Sequence, residues 1–84
     1  MRLVFADQAW EDYIYWQQED PQKVEKINAL IKDLRRDPFM GLGKPEPLKG
    51  ALAGYWSRRI NDEHRSVYKV SGGDLLIAQL RYHY

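Results

Sequence analysis

The chain reads as an α+β domain in the order β-α-α-β-β-β, with two N-terminal helices packed on one face of a mostly antiparallel sheet. Three observations carry that reading. Asp20-Pro21 is a helix start, an N-cap residue followed by proline at the first helical position. Val24, Ile27, Ile31 and Leu34 then recur at spacings of three and four, which lines one helix face with apolar side chains. From Tyr55 onward, short apolar runs alternate with polar or glycine-rich turns, the pattern of a strand meander. At 84 residues the chain supports one modest core, so residues 1–84 are expected to form a single domain.

Met1 to Ala6 alternates weakly and reads as a short strand, after which Asp7 offers an N-cap for a helix running to about Glu19. Trp10, Tyr13 and Ile14 share a stripe of that helix with Phe5 before it, and Tyr15 and Trp16 lie beside them. Such a surface is core or interface rather than a base-stacking platform, and a homodimer through it is compatible with the pattern. The second helix ends at Pro38. Between Pro38 and Gly54 stand three prolines and four glycines without a period, a long ordered loop of the kind that carries function. Strands follow at Tyr55 to Ile60, Arg65 to Val70 and Leu75 to Tyr84, joined by turns at Asn61-Asp62-Glu63-His64 and Ser71-Gly72-Gly73-Asp74. His64 reads as an exposed turn residue.

No cysteine is present, which removes disulfides and thiolate metal sites and suits a reducing compartment. Asp7 interrupts the N-terminal apolar run too early for a signal peptide, and no apolar run approaches the roughly 18 residues of a membrane span. A soluble, cytoplasmic protein with no membrane partner is expected. Net charge is only +1, yet residues 1–43 hold six bases against eight acids while residues 44–84 hold seven bases against four acids. Any affinity for nucleic acid must therefore come from segregated charge.

Candidate chemistry concentrates in that basic half. Glu46 stands between Pro45 and Pro47 with Lys44 and Lys49 on either side; the prolines restrict its backbone and make it a good fixed base. The plainer alternative is that Glu46 pairs with one of those lysines at the surface. Arg58, Arg59 and Arg65 flank the first hairpin. An odd number of connecting residues sets Arg59 opposite Arg65, two like charges that call for an anion, whereas an even number sends them to opposite faces. A two-residue turn at Gly72-Gly73 sets Arg65 and His83 on different faces unless the last strand bulges or bends. The chain ends in Arg81-Tyr82-His83-Tyr84 directly after an apolar strand, so a proton-transferring imidazole is tied to a rigid element. Glu46, Arg65, His83 and Tyr84 together form a coherent set for cleaving RNA through its own 2′-hydroxyl. That reaction needs a base, a cation on the phosphate and an acid for the leaving oxygen. It needs no metal or cofactor, and the two histidines and scattered acids show no ligand spacing.

At this point the chain resembles a family. Lys44-Pro45-Glu46-Pro47-Leu48, Tyr55-Trp56-Ser57-Arg58-Arg59-Ile60, Glu63-His64-Arg65 with Val67-Tyr68, and the ending Arg81-Tyr82-His83-Tyr84 are similar to the YoeB toxins of the RelE/ParE toxin-antitoxin superfamily. Trp10-Glu11-Asp12-Tyr13 with Trp16, Ile27-Asn28, and Leu30-Ile31-Lys32-Asp33 fit as well, so the resemblance spans essentially the whole chain. It implies a RelE-like fold and a ribosome-dependent endonuclease that cuts A-site mRNA, leaving a 2′,3′-cyclic or 3′-phosphate end. Glu46 corresponds to the base, His83 to the acid and Arg65 to the phosphate-stabilising cation, with Tyr84 assisting. Lys49 and Arg59 match basic positions lining the same pocket, and Lys44 and Arg58 join them as expected substrate-binding cations. The resemblance further implies a cognate antitoxin and binding of promoter DNA by the toxin-antitoxin complex. A ParE-like relative that binds DNA gyrase without cutting RNA is the alternative on the same scaffold; it has no need of Glu46, Arg65 and His83 together.

Overall fold

The structure, a computed structural model, describes residues 1–82. Strand β1 (Arg2–Phe5) leads into helices α1 (Asp7–Glu19) and α2 (Pro21–Arg36), and strands β2 (Glu46–Pro47), β3 (Trp56–Arg59), β4 (Arg65–Ser71) and β5 (Asp74–Gln79) follow. They form one sheet of order β1-β5-β4-β3-β2, in which β1 runs parallel to β5 and the other neighbours are antiparallel. The α+β arrangement is the expected one, with local changes. Within the loop between Pro38 and Gly54, Glu46–Pro47 pairs with β3 as a short edge strand and Gly50–Leu52 makes one 3-10 turn. The last strand stops at Gln79 instead of running to the chain end. Ala6 rather than Asp7 occupies the N-cap of α1; Asp7 is the first helical residue, where its charge complements the helix dipole. No helix among the described residues is long and apolar enough to cross a membrane.

Asp20 closes one helix and opens the next. Its N–H donates to the Trp16 carbonyl at 2.9 Å and its Oδ1 accepts from the Gln22 N–H at 3.2 Å, so a single residue satisfies orphan groups of both termini. Helix α2 buries Ile27, Leu30, Ile31 and Leu34 against the sheet. Facing them are Tyr68, Leu75 and Ile77, joined by Ile60 and by Trp16 of α1, while Leu3, Phe5 and Trp56 pack half-buried at the margin.

Because side chains alternate along a strand, this packing sorts the meander into two faces. Cross-strand partners Trp56 and Tyr68, and Arg58 and Ser66, lie under the helices; Ser57 and Val67, and Arg59 and Arg65, lie on the other face. The β4–β5 hairpin closes through Gly72 and Gly73 at φ +56° and +84°, the two left-handed positions that such a two-residue turn requires. Its register runs from Ser71 opposite Asp74 to Tyr68 opposite Ile77, then shifts by one so that Val67 meets Gln79. The shift reverses parity along β5 and brings Gln79 onto the face of Arg65. His83 and Tyr84, expected at the end of this strand, lie outside the described residues.

Candidate active site

The open face of the sheet gathers Glu46, Arg59 and Arg65. Glu46 sits opposite Ser57 on β3, and its Oε1 lies 3.3 Å from Nη1 of Arg65 on β4. The strand order thus lets a carboxylate on the edge meet a guanidinium two strands away, over the small, fully buried Ser57. Arg59 is directly opposite Arg65 because residues 60–64, an odd number, separate β3 from β4. The like charges are each matched by a carboxylate of the chain itself: Arg65 by Glu46, and Arg59 by Asp62. Glu46 and Asp62 keep 52% and 93% of their side chains exposed, so these pairs belong to the surface class worth about 0–1 kcal/mol. Lys44 and Lys49 project from the same loop and are exposed.

Arg58 departs from its expected place among the substrate-binding cations. Parity turns it under the helices, where it is 0% exposed. Its Nη1 donates to Asp33 Oδ2 at 2.6 Å and to the Leu42 carbonyl at 3.1 Å, and Nη2 donates to the carbonyls of Asp37 at 2.6 Å and Met40 at 3.1 Å. The Nε–H donates to the Tyr68 hydroxyl, which in turn donates to the Pro38 carbonyl at 2.6 Å. Every direction of this guanidinium is used in fastening the 37–42 segment to the sheet, which leaves nothing to offer a substrate. Gly41, at φ +128°, is needed there because a Cβ would meet Asp33 Oδ2 at 2.1 Å. The Leu42 N–H and the Arg58 guanidinium hold the Asp33 carboxyl below the usual carboxylate range, the backbone donor contributing most. Burial pushes the Tyr68 phenol up, against the opposing pull of Arg58.

Residues 80–82 are secured by groups that the sequence did not single out for this. The Leu80 N–H donates to Oδ2 of the buried Asp12 at 3.0 Å, and the Leu80 carbonyl accepts from Trp16 Nε1 at 2.9 Å, so helix α1 holds both polar groups of one residue. The Arg81 carbonyl accepts from Gln79 Nε2 at 2.7 Å, and its guanidinium stacks 3.5 Å over the Tyr15 ring. The Tyr82 carbonyl accepts from the Arg65 N–H at 3.0 Å, which ties the tail to the strand that carries the candidate phosphate cation. His64 is half-buried rather than an exposed turn residue: its ring meets Trp16 edge-on at 4.8 Å, and its Nδ1 accepts from the Tyr82 N–H at 2.7 Å. The candidate acid His83 and its neighbour Tyr84 follow directly in sequence, outside the described residues.

Elsewhere, Leu3, Phe5, Trp10, Tyr13 and Ile31 line an apolar groove of about 590 Å³ between β1 and the two helices, and none of the described candidate site residues lines it. No group of three or more His, Cys, Asp or Glu side chains among the described residues is placed to hold a metal ion.

Comparison with known proteins shows the family. Residues 5–84 match a family described as YoeB-like toxin of bacterial type II toxin-antitoxin system. Toxin YoeB of Escherichia coli strain K12 is 60% identical over 84 residues and is covered, like this chain, over 100% of its length. The solved structure of the YoeB/ParE toxin from Agrobacterium tumefaciens is 58% identical with a TM-score of 0.97, covering 100% of both chains. The toxin in the heterotetrameric YoeB-YefM complex from Staphylococcus aureus is 50% identical with a TM-score of 0.90, covering 100% of this chain and 98% of that one. With a family match over residues 5–84 and relatives this similar from end to end, the chain belongs to the YoeB-like toxins of bacterial type II toxin-antitoxin systems.

Proposed function

We propose that this toxin is a ribosome-dependent endoribonuclease that cleaves A-site mRNA through its 2′-hydroxyl. The observation that carries the reading is the convergence of Glu46, Arg59 and Arg65 on the sheet face opposite the helices, beside a tail whose Tyr82 is bonded to the Arg65 backbone. In this reading the Glu46 carboxylate takes the 2′-hydroxyl proton, and the 2′-oxygen attacks phosphorus. Arg65 exchanges its pairing with Glu46 for the non-bridging oxygens as their charge grows. The bond to the 5′-oxygen breaks as His83 protonates that oxygen, leaving a 2′,3′-cyclic phosphate and a 5′-hydroxyl, with Tyr84 assisting. Arg59, Lys44 and Lys49 bind flanking phosphates. The expected partners are the ribosome with its mRNA, a cognate antitoxin and, for the joint complex, promoter DNA. The S. aureus YoeB-YefM assembly supports the antitoxin part. Ribosomes make the cytoplasm the place of action.

Mapping mRNA 5′ ends after adding the protein to programmed ribosomes tests the reading. New 5′-hydroxyl ends inside the A-site codon are expected; intact mRNA together with inhibition of gyrase supercoiling would instead establish the gyrase-binding alternative.

Salt supplies an independent check on the substrate face. Each phosphate contact releases condensed counterions and adds roughly 0.7–0.9 to the slope of log affinity against log salt. Lys49→Ala and Arg59→Ala should each flatten the slope for ribosome binding by about one, measured by sedimentation across a salt series. Arg58→Met should leave the slope of the folded fraction unchanged, because its guanidinium is fully enclosed.

A further inference from the structure

We infer that His64 is the positioning residue of the C-terminal tail: its unprotonated Nδ1 anchors the Tyr82 N–H, one residue before the proposed acid. This rests on the endonuclease reading above. The Tyr82 backbone is clamped from both sides, its N–H by His64 Nδ1 at 2.7 Å and its carbonyl by the Arg65 N–H at 3.0 Å. Tyr82 also adopts φ +67°, a left-handed conformation that a tyrosine does not choose without restraint. Two consecutive residues, the last of the turn and the first of β4, thus hold Tyr82 in this conformation immediately before His83 in sequence.

The anchor itself is rigid. The His64 carbonyl accepts from the N–H groups of Ile60 and Asn61 at 2.9 and 3.2 Å, and the His64 N–H donates to Asn61 Oδ1 at 2.7 Å. The ring leans edge-on against the buried Trp16, whose indole is fixed in turn on the Leu80 carbonyl. A backbone amide can only donate, so Nδ1 must be the acceptor and the ring proton sits on Nε2. That fixes the neutral tautomer from geometry alone. A displacement of about 1 Å at a reacting group can cost on the order of 10²-fold in rate, so a single hydrogen bond next to the proposed acid has leverage on turnover that it lacks over folding.

Two substitutions separate the hydrogen bond from the packing. Phenylalanine keeps an aromatic ring against Trp16 and removes the acceptor. Asparagine gives up the ring but carries an oxygen at the same number of bonds from the backbone as Nδ1. On programmed ribosomes, His64→Phe should lower kcat at least tenfold with KM for ribosomes within about twofold, and His64→Asn should return kcat to within about threefold of wild type. Amide hydrogen exchange gives a readout that needs no activity: at Tyr82 it should quicken at least tenfold in His64→Phe and much less in His64→Asn. The Leu80 amide, held by Asp12, should stay protected in both and certify the fold. Wild-type exchange at Tyr82 in His64→Phe, or an asparagine variant as impaired as the phenylalanine one, overturns the inference. A wild-type protein that fails to cut removes the endonuclease reading instead, while the exchange comparison still decides the anchor.

Discussion

Exchanging His83 for glutamine is expected to lower the rate of mRNA cleavage on the ribosome by 10²-fold or more while changing ribosome affinity by less than about threefold. General acid catalysis contributes roughly 10²–10⁴-fold, and in the proposed reaction one imidazole supplies all of it at the leaving oxygen. Binding, by contrast, is shared in the proposed reading among Lys44, Lys49, Arg59 and Arg65, which the substitution leaves in the chain. An interaction made only in the transition state is lost from kcat and not from binding. Single-turnover cleavage with saturating toxin separates the two. A variant that cuts at the wild-type rate takes the acid's role away from His83.

The second large effect is on stability. Arg58→Ala should destabilise the domain by about 3–5 kcal/mol, the range found when one member of a buried ion pair is removed and its partner stranded. In a domain of this size about 1 kcal/mol moves Tm by 4–8 °C, so a fall of at least about 12 °C, or no folded protein, is expected by circular dichroism. The cost comes from what is left behind: the Asp33 carboxylate, the carbonyls of Asp37, Met40 and Leu42, and the Tyr68 hydroxyl all lose a donor together. Arg59→Ala, one residue on and facing solvent, should move Tm by no more than about 4 °C, as befits a surface pair. A similar small shift for Arg58→Ala would remove the structural role assigned to it. The same network limits acid tolerance. Asp33 titrates lower in the fold than in the unfolded chain, so its contribution is fully present above the unfolded value and fades as pH falls toward the folded one.

What could be read from the sequence, and what could not, divides along a physical line. Patterns within one element were legible: Asp20-Pro21, the stripe from Val24 to Leu34 and the Gly72-Gly73 turn each describe their own backbone. Pairings between side chains of opposite charge were half legible, since Glu46 and Arg65 could be named as a set before anything fixed the face they share. Side chains that serve backbone groups left no trace. Arg58 looks like any strand arginine because three of its five acceptors are carbonyls, which every residue carries. His64, Asp12 and Trp16 were hidden for the same reason: their partners are main-chain atoms of Tyr82 and Leu80, far off in sequence. Parity was the other gap. Whether Arg58 or Arg59 faces solvent depends on one residue more or less between strands, and whether Gln79 joins them depends on a bulge that neither glycine nor proline announces.

The proline flanks of Glu46 have a consequence beyond holding a carboxylate. Strand β2 is one margin of the sheet, and there Pro45 and Pro47 have no N–H to offer a further strand. At only two residues it is also too short to template one. Assembly by strand addition, the usual route by which exposed sheets recruit partners or aggregate, is therefore discouraged beside the basic face and directed to the opposite margin at β1. The protein thus carries its guard against edge-to-edge aggregation in the same three residues that present its proposed base.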